Sequence, residues 1–477
     1  MIRTERGARP NIVFILGDDL GYGDIGCFGQ RRFATPRIDA LAAEGMRLTR
    51  HMAGSPVCAP SRCVLMTGLH PGHAPIRDNR DVGEDEQMPV PTGLPILPEI
   101  LSGLGYACGG FGKWGLGKPG NAGDPLRRGF ARFFGYHGQR HAHNHYPDHL
   151  DDGPVRVPLA NPTFAPHQNL PRGADLLDPA TYARFAGREW APERIVDEAC
   201  RWIEAHADRP FLCYVPSTIP HLALQAPPAA IAAQSGRHGR DGAYRGGRSY
   251  LPAREPRATF AAMVSEFDRH VGRVLDTLSR TGVDRNTIVV FSSDNGPLYE
   301  RLGGTDTDWF DSAGGLRGRK GDLWEGGVRV PTLVRWTGRI APGSSSDALT
   351  GFEDWLPTLL SMVGAPERIP RRHDGIDLSR HLLGRGSVSR DRWLYREFAG
   401  YGGWQGVWEG RWKLVRGGLS KGASSWELYD LALDPRESRD LSAERPELVA
   451  RLAGRAAQSH QPSPEFPLRG LGDRSRG

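Results

Sequence analysis

Short apolar runs alternate with longer stretches of helical periodicity along most of the chain. Residues 11–16, 106–111, 210–215, 287–291 and 332–336 are short and mainly apolar. Their length and β-branched content predict strands buried on both faces. Between them, residues 38–45, 97–104, 190–207 and 355–363 carry apolar positions at helical spacing. So does the stretch that places Met263, Phe267, Val271, Val274 and Leu278 on one face. Gly45, Gly105 and Gly282 are the expected helix stops. Such alternation predicts an α/β fold, a large, mostly parallel mixed sheet with helices on both faces. The aromatic segment 129–136 fits either a strand or a loop.

From about residue 391 the pattern changes. Residues 393–397, 404–409, 412–416 and 426–429 are short, Trp-rich and separated by turns, which predicts an antiparallel sheet. A last helix is expected over 446–457. The chain of 477 residues is long enough for two domains, a catalytic one at 1–385 and an α+β subdomain at 386–477. Residues 234–257, rich in Gly and Arg, are expected to form a mobile surface excursion, and the polar end from 469 to 477 a frayed tail.

The totals narrow the picture only a little. A formal net charge of +6 favours anionic partners, but the basic residues are scattered and match no nucleic-acid module. No apolar run approaches the roughly 20 residues of a membrane span, so no membrane partner is expected. Residues 1–10 are charged and lack the apolar core of a signal peptide. The expected location is therefore cytoplasmic, or periplasmic or secreted where a leader has been removed. The six Cys show no C-x-x-C pairing and suggest no disulfide framework.

In parallel sheets, sites form beyond the carboxyl ends of the strands. Asp18-Asp19, Lys113, His221 and Asp294-Asn295 each fall just past a predicted strand. Taken singly, adjacent acids are turn formers or a hard-cation site, and Asn295-Gly296 is a hairpin turn unless no matching strand follows. Lys113 in its Gly-rich loop is either solvated or an oxyanion clamp. His141, His143 and His145 crowd into five residues, with no further Cys or His cluster to complete a zinc set, which favours a polar substrate-contacting loop. Cys58 opens a predicted helix, with Pro60 in its first turn and Arg62 one turn on. Unpaired N–H groups, the helix dipole and Arg62 together predict an acidic, reactive thiol, the alternative being a buried structural Cys.

Cys58-Ala59-Pro60-Ser61-Arg62, followed by Leu65-Met66-Thr67-Gly68, resembles the signature of the formylglycine-dependent sulfatases. With the spread of acids, Lys and His, the chain resembles the alkaline-phosphatase-like superfamily over nearly its whole length. The resemblance implies that a formylglycine-generating enzyme oxidises Cys58 to an aldehyde whose hydrate attacks sulfur. It implies one Ca²⁺ held by Asp18, Asp19, Asp294, Asn295 and an oxygen of modified Cys58. Arg62 would orient the hydrate, Lys113 and Lys320 would hold sulfate oxygens, Asp294 would accept a proton and His221 would protonate the leaving alcohol. Many members have a His where this chain has Gly115, and His141 or His143 is the expected replacement, as base or substrate contact. The implied substrate is a sulfated small molecule or glycan, with a galactose or N-acetylgalactosamine sulfate preferred. The alternatives are a formylglycine-dependent phosphodiesterase or phosphonate monoester hydrolase, or a sulfated-glycan-binding protein with Cys58 unmodified.

Overall fold

A computed structural model describes residues 9–80, 87–247, 249–422 and 424–473. The charged start at 1–8, residue 248 of the Gly/Arg-rich stretch and the last four positions of the polar tail lie outside the described residues.

The strands, in chain order, are β1 (Asn11–Asp18), β2 (Met46–Leu48), β3 (His51–Met52), β4 (Ala107–Lys113), β5 (Arg132–Tyr136), β6 (His149–Asp152), β7 (Val155–Pro158), β8 (Phe211–Pro220), β9 (Thr287–Ser293), β10 (Thr332–Trp336), β11 (Ser344–Ser346), β12 (Thr350–Gly351), β13 (Trp393–Phe398), β14 (Trp404–Glu409), β15 (Trp412–Gly417) and β16 (Glu427–Asp430). Ten of them form one sheet in the order β11-β2-β10-β9-β1-β8-β4-β5-β6-β7. The run β9-β1-β8-β4-β5 is parallel throughout, while β10 joins β9 antiparallel and β6 joins β5 antiparallel. The aromatic segment before Tyr136 is thus a sheet strand. β3 and β12 form a separate parallel pair.

The helices are α1 (Pro36–Glu44), α2 (Cys58–Thr67), α3 (Leu97–Ser102), α4 (Ala191–Ala205), α5 (Pro228–Gln234), α6 (Pro256–Arg280), α7 (Glu325–Val328), α8 (Trp355–Met362), α9 (Ser379–Leu382) and α10 (Pro446–Ser459). Every residue of β1 is buried, and its side chains alternate between two cores. Val13 and Ile15 join Phe267, Val271 and Val274 of α6 and Ile195 of α4. Ile12, Phe14 and Leu16 join Val64 of α2 and Leu356 and Leu360 of α8. The period-2 alternation of a strand therefore explains both the continuous apolar run and the helical layer on each face. Each such side chain contributes about 1.5–3 kcal/mol on burial.

β13 to β16 pair in sequence as a four-stranded antiparallel sheet, as the Trp-rich pattern predicts. α10 packs on it through Leu452 and Ala456. Buried ion pairs join this sheet to the rest: Arg396 grips Glu353 with two bonds of 2.8 and 2.7 Å, and Arg77 meets Glu397 at 2.6 Å. Lys413 of β15 reaches Glu325 at 3.2 Å and Glu437 at 2.6 Å. Glu437 in turn accepts from the backbone N–H of Glu325 at 2.7 Å. The start of α7, five residues after Lys320, is thereby tied to the small sheet.

The stretch 234–257 is not a free excursion: Leu251 is fully buried, and Tyr250 packs its ring 5.0 Å from that of His143. Its few apolar residues anchor it despite the Gly/Arg-rich composition.

Candidate active site

Four neighbouring parallel strands end on one edge of the large sheet. β9 delivers Asp294 and Asn295 there, β1 delivers Asp18 and Asp19, β8 delivers His221 and β4 delivers Lys113. Parallel pairing aligns the carboxyl ends, so residues far apart in sequence converge without any local signal. α2 enters from one side with Cys58 in its first turn, after an extended Val57 that lends no side-chain cap. The Asn79 side chain accepts from the Ala59 N–H at 2.8 Å. The loop after β9 returns Lys320, tied down by Lys320 N–H to the Pro297 carbonyl (2.9 Å) and Gly321 N–H to the Pro56 carbonyl (2.8 Å).

These groups are in contact. One donor atom from each of Asp18, Asp19, Cys58 and His221 lies within 4.8 Å of the others. Cys58 Sγ stands 3.3 Å from Asp18 Oδ1 and 3.5 Å from Lys320 Nζ. Lys113 Nζ meets Asp18 Oδ2 at 2.7 Å, and Lys320 Nζ meets Asp19 Oδ2 at 2.8 Å. Arg62 donates from Nε and Nη2 to Asp294 Oδ2 at 3.1 and 2.8 Å, while its Nη1 donates to the Lys113 carbonyl. His221 donates from Nδ1 to the Leu222 carbonyl at 2.8 Å, leaving Nε2 facing Asp19 Oδ2 at 3.5 Å. Asp19 holds a left-handed φ of 63°, a conformation that Asp tolerates better than most residues.

Burial dominates the electrostatics. It would raise Asp18, but Lys113, His221, Arg62 and Lys320 outweigh it and hold that carboxyl well below the usual range. Asp19 stays raised by burial and by Asp18, and Asp294 is pushed up to about 6 by burial and Asp18 against Arg62. Burial and Lys320 push His221 well down. The Cys58 thiol is pushed up, not down: burial and Asp18 exceed the pull of Lys113 and Lys320. The expected acidic thiol is thus corrected. Desolvation and a carboxylate 3.3 Å away outweigh the helix terminus, so Cys58 as a plain thiol is a poor nucleophile.

The donor set fits a hard divalent cation. Asp18, Asp19, Asp294 and Asn295 are all fully buried, and Asn295 Oδ1 has no hydrogen-bond partner. An orphaned buried oxygen beside three carboxylates, two of which resist ionising, is the environment an oxygen-seeking ion resolves.

The family model described as Sulfatase matches residues 10–365. The chain belongs to the sulfatase family. A second model, N-sulphoglucosamine sulphohydrolase, C-terminal, matches residues 317–460. Arylsulfatase A of Homo sapiens is 35% identical over 402 residues, covering 80% of this chain and 69% of its own length. The N-acetylgalactosamine-6-O-sulfatase of Bacteroides thetaiotaomicron is 24% identical over 510 residues, covering 94% of this chain and 93% of its own length. Among solved structures, Ps i-CgsB in complex with k-i-k-neocarrahexaose superposes with a TM-score of 0.76 at 23% identity, covering 95% of this chain and 94% of that one. The fold is therefore that of the alkaline-phosphatase-like sulfatases, and the protein is a sulfuric ester hydrolase.

Within this sulfatase, the histidine-rich turn splits. His141 and His143 belong to one 3-10 turn, His141–His143. His143 lies over His221 with ring centroids 4.9 Å apart, whereas His141 packs on His149 (4.5 Å) and Tyr136 (5.0 Å) and lines a neighbouring cavity. His143 is thus brought to the site and His141 is not. His145 does something different again, donating from Nε2 to the His221 carbonyl at 2.9 Å and bracing the end of β8.

Other site neighbours have no sequence signal. Gly115, at φ +75°, leaves room for the Gln139 amide: a Cβ at 115 would lie 2.6 Å from Gln139 Nε2 and 4.0 Å from Arg62 Cδ. Gln139 thus fills the space beside Arg62 that a side chain at 115 would enter. His167 donates to His143 from a stretch without periodicity, and only the tertiary fold pairs them.

No helix among the described residues is long and apolar enough to cross a membrane.

Proposed function

We propose that this sulfatase removes sulfate from a saccharide, with Cys58 oxidised to formylglycine by a formylglycine-generating enzyme and one Ca²⁺ held by Asp18, Asp19, Asp294 and Asn295. The observation that carries the reading is the ring of three carboxylates and three cations, all buried, around the side chain of residue 58. A saccharide is favoured because a relative of nearly equal length acts on N-acetylgalactosamine 6-O-sulfate by its name. A galactose- or N-acetylgalactosamine-type sulfate is therefore the preferred substrate.

In the modified enzyme, the Cys58 Sγ position is taken by the oxygens of an aldehyde hydrate. Formylglycine supplies two hydroxyls on one carbon, so that one attacks sulfur and deprotonation of the other expels sulfate. The cation, when bound, polarises the sulfuryl oxygens. The chain's own residues do the rest. Lys320, 3.5 Å from the residue 58 side chain, and Lys113, paired with the Asp18 that touches it, hold the sulfate oxygens and preorganise positive charge where negative charge spreads. Arg62, fixed by Asp294 and the Lys113 carbonyl, orients the hydrate, and Asp294 takes the proton of the attacking hydroxyl. His221 Nε2 faces the same space and hands a proton to the leaving alcohol oxygen. The sulfate offsets the lysine charges that depress that imidazole.

We also propose the division of the chain into a catalytic part, 1–385, and a C-terminal part, 386–477, whose ion pairs Arg396–Glu353 and Lys413–Glu325 hold it against the first.

The test is a peptide mass spectrum across residue 58 of protein made together with a formylglycine-generating enzyme, followed by turnover of a sulfated N-acetylgalactosamine and of a phosphonate monoester. Aldehyde at 58 with preferred turnover of the sulfate is expected. An unmodified thiol in active protein would overturn the formylglycine step, and preference for the phosphonate would overturn the substrate.

A further inference from the structure

A cavity of about 570 Å³ lies beside the site, in the size range of small-ligand pockets. The turn His141–His143 separates the two spaces. His143 covers His221 on one side, while His141 and Asn144 line the cavity on the other. Phe164 and Pro166 complete that wall and lead to His167, whose ring donates to His143 at 3.1 Å. The cavity is therefore about one side chain away from the group that protonates the leaving alcohol. A substituent on the leaving alcohol that passes His143 enters this cavity.

The cavity is built for negative charge. Lys118, Arg140 and Arg156 line it, against Asp148 and Asp151. Arg140 and Arg156 are exposed, and neither guanidinium forms an ion pair or side-chain hydrogen bond with a described residue. Asp148 is already engaged, by His149 Nδ1 at 2.6 Å and Thr163 Oγ1 at 2.9 Å. Asp151 stands opposite Arg156 in the β6–β7 register without forming an ion pair with it, and burial raises its pKa against the pull of His137, His149 and Arg156. Two forked donors with no hydrogen-bond acceptor among the described residues match a carboxylate or sulfate, the anions such forks hold best. The Phe164 ring supplies an apolar surface for the C–H face of a sugar.

We propose that this cavity binds the sugar next to the sulfated one, with Arg140 and Arg156 holding an anionic group on that sugar. The inference rests on the saccharide-sulfatase reading above and deepens it: the substrate is an oligosaccharide with acidic groups on adjacent residues.

The experiment compares kcat/KM for four probes: 4-methylumbelliferyl sulfate, a monosulfated N-acetylgalactosamine, its disaccharide with a uronic acid, and its disaccharide with a second sulfated sugar. Wild type, R140A, R156A and the double variant are measured; both arginines are exposed, so the variants are expected to fold. In wild type, at least one acidic disaccharide should exceed the monosaccharide by tenfold or more, and which one does identifies the anion as carboxylate or sulfate. Each single variant should lower that disaccharide-to-monosaccharide ratio by about tenfold, and added salt should lower the wild-type ratio. A ratio within twofold of wild type in the double variant would overturn the subsite while leaving the sulfatase reading intact. Turnover of 4-methylumbelliferyl sulfate alone would overturn the saccharide reading, and the subsite with it.

Discussion

The imidazoles of His143 and His221 stack 4.9 Å apart at an interplanar angle of 13°. The protonation of His143 follows from its neighbours. His167 Nδ1 accepts from the Tyr250 N–H at 3.1 Å and from the Ser249 hydroxyl at 2.6 Å, so the His167 proton sits on Nε2. It is donated to His143 Nδ1 at 3.1 Å, which leaves His143 presenting an N–H from Nε2. Burial and His221 push His143 well down, so the ring stays neutral. We therefore propose His143 as a hydrogen-bond donor to the substrate through Nε2, and not as the base.

His167 is thus a positioning residue. Replacing it with Ala frees the His143 tautomer, and kcat/KM should fall about tenfold, while H167Q, whose amide can still donate, should recover most of it. The decisive readout is the His143 tautomer in nitrogen-15 NMR. A His143 proton that stays on Nε2 in H167A would refute the relay.

If His221 protonates the leaving oxygen, its loss matters most for poor leaving groups. H221A is expected to cost about 10²–10⁴-fold on a sugar sulfate and far less on 4-nitrophenyl sulfate, whose phenolate leaves unaided. Equal losses on both substrates would instead mark His221 as a sulfate contact.

Calcium at a hundred times its Kd should stabilise the fold by about 2.7 kcal/mol, because the unfolded chain has no such site. Thermal melts with chelator and with added calcium measure this. N295A should shrink the calcium-dependent rise in Tm. No calcium effect on Tm in wild type would remove the ion from the proposal.

Stability near the small sheet should depend on pH through His460. Burial lowers this imidazole, but Glu397 at 2.7 Å and Asp473 at 3.1 Å outweigh it, so its pKa is raised on folding. A raised His value means stability that is fully present below the unfolded value, roughly 6.5, and lost as pH rises through the folded one. Urea unfolding at pH 5.5 and pH 9 should therefore show wild type ahead of H460Q by about 1 kcal/mol at the lower pH and by little at the higher. The opposite trend would contradict the assignment.

Much of the site is legible in the chain. Asp18, Asp19, Lys113, His221 and Asp294 can be proposed because each follows an apolar run that has to be a strand, and parallel strands share a functional edge. Cys58 and Arg62 stand in a string that resembles a known signature. The illegible parts are those where distance, not pattern, decides. His141 and His143 are indistinguishable by composition, yet two residues along a 3-10 turn point them to different spaces. Gln139 is an ordinary polar residue until the left-handed Gly115 leaves it a place beside Arg62.

The amino-acid sequence alone determined the order of elements, the burial of the central strands on both faces and the residue types that follow each strand. These depend on short-range periodicity, which is written locally. Only the tertiary structure decided which of those residues touch, that the Cys58 thiol is masked by burial and Asp18, and that His143 but not His141 joins His221. Such outcomes depend on strand order and register between residues hundreds of positions apart, and on a desolvation that exists only once the core has closed around them.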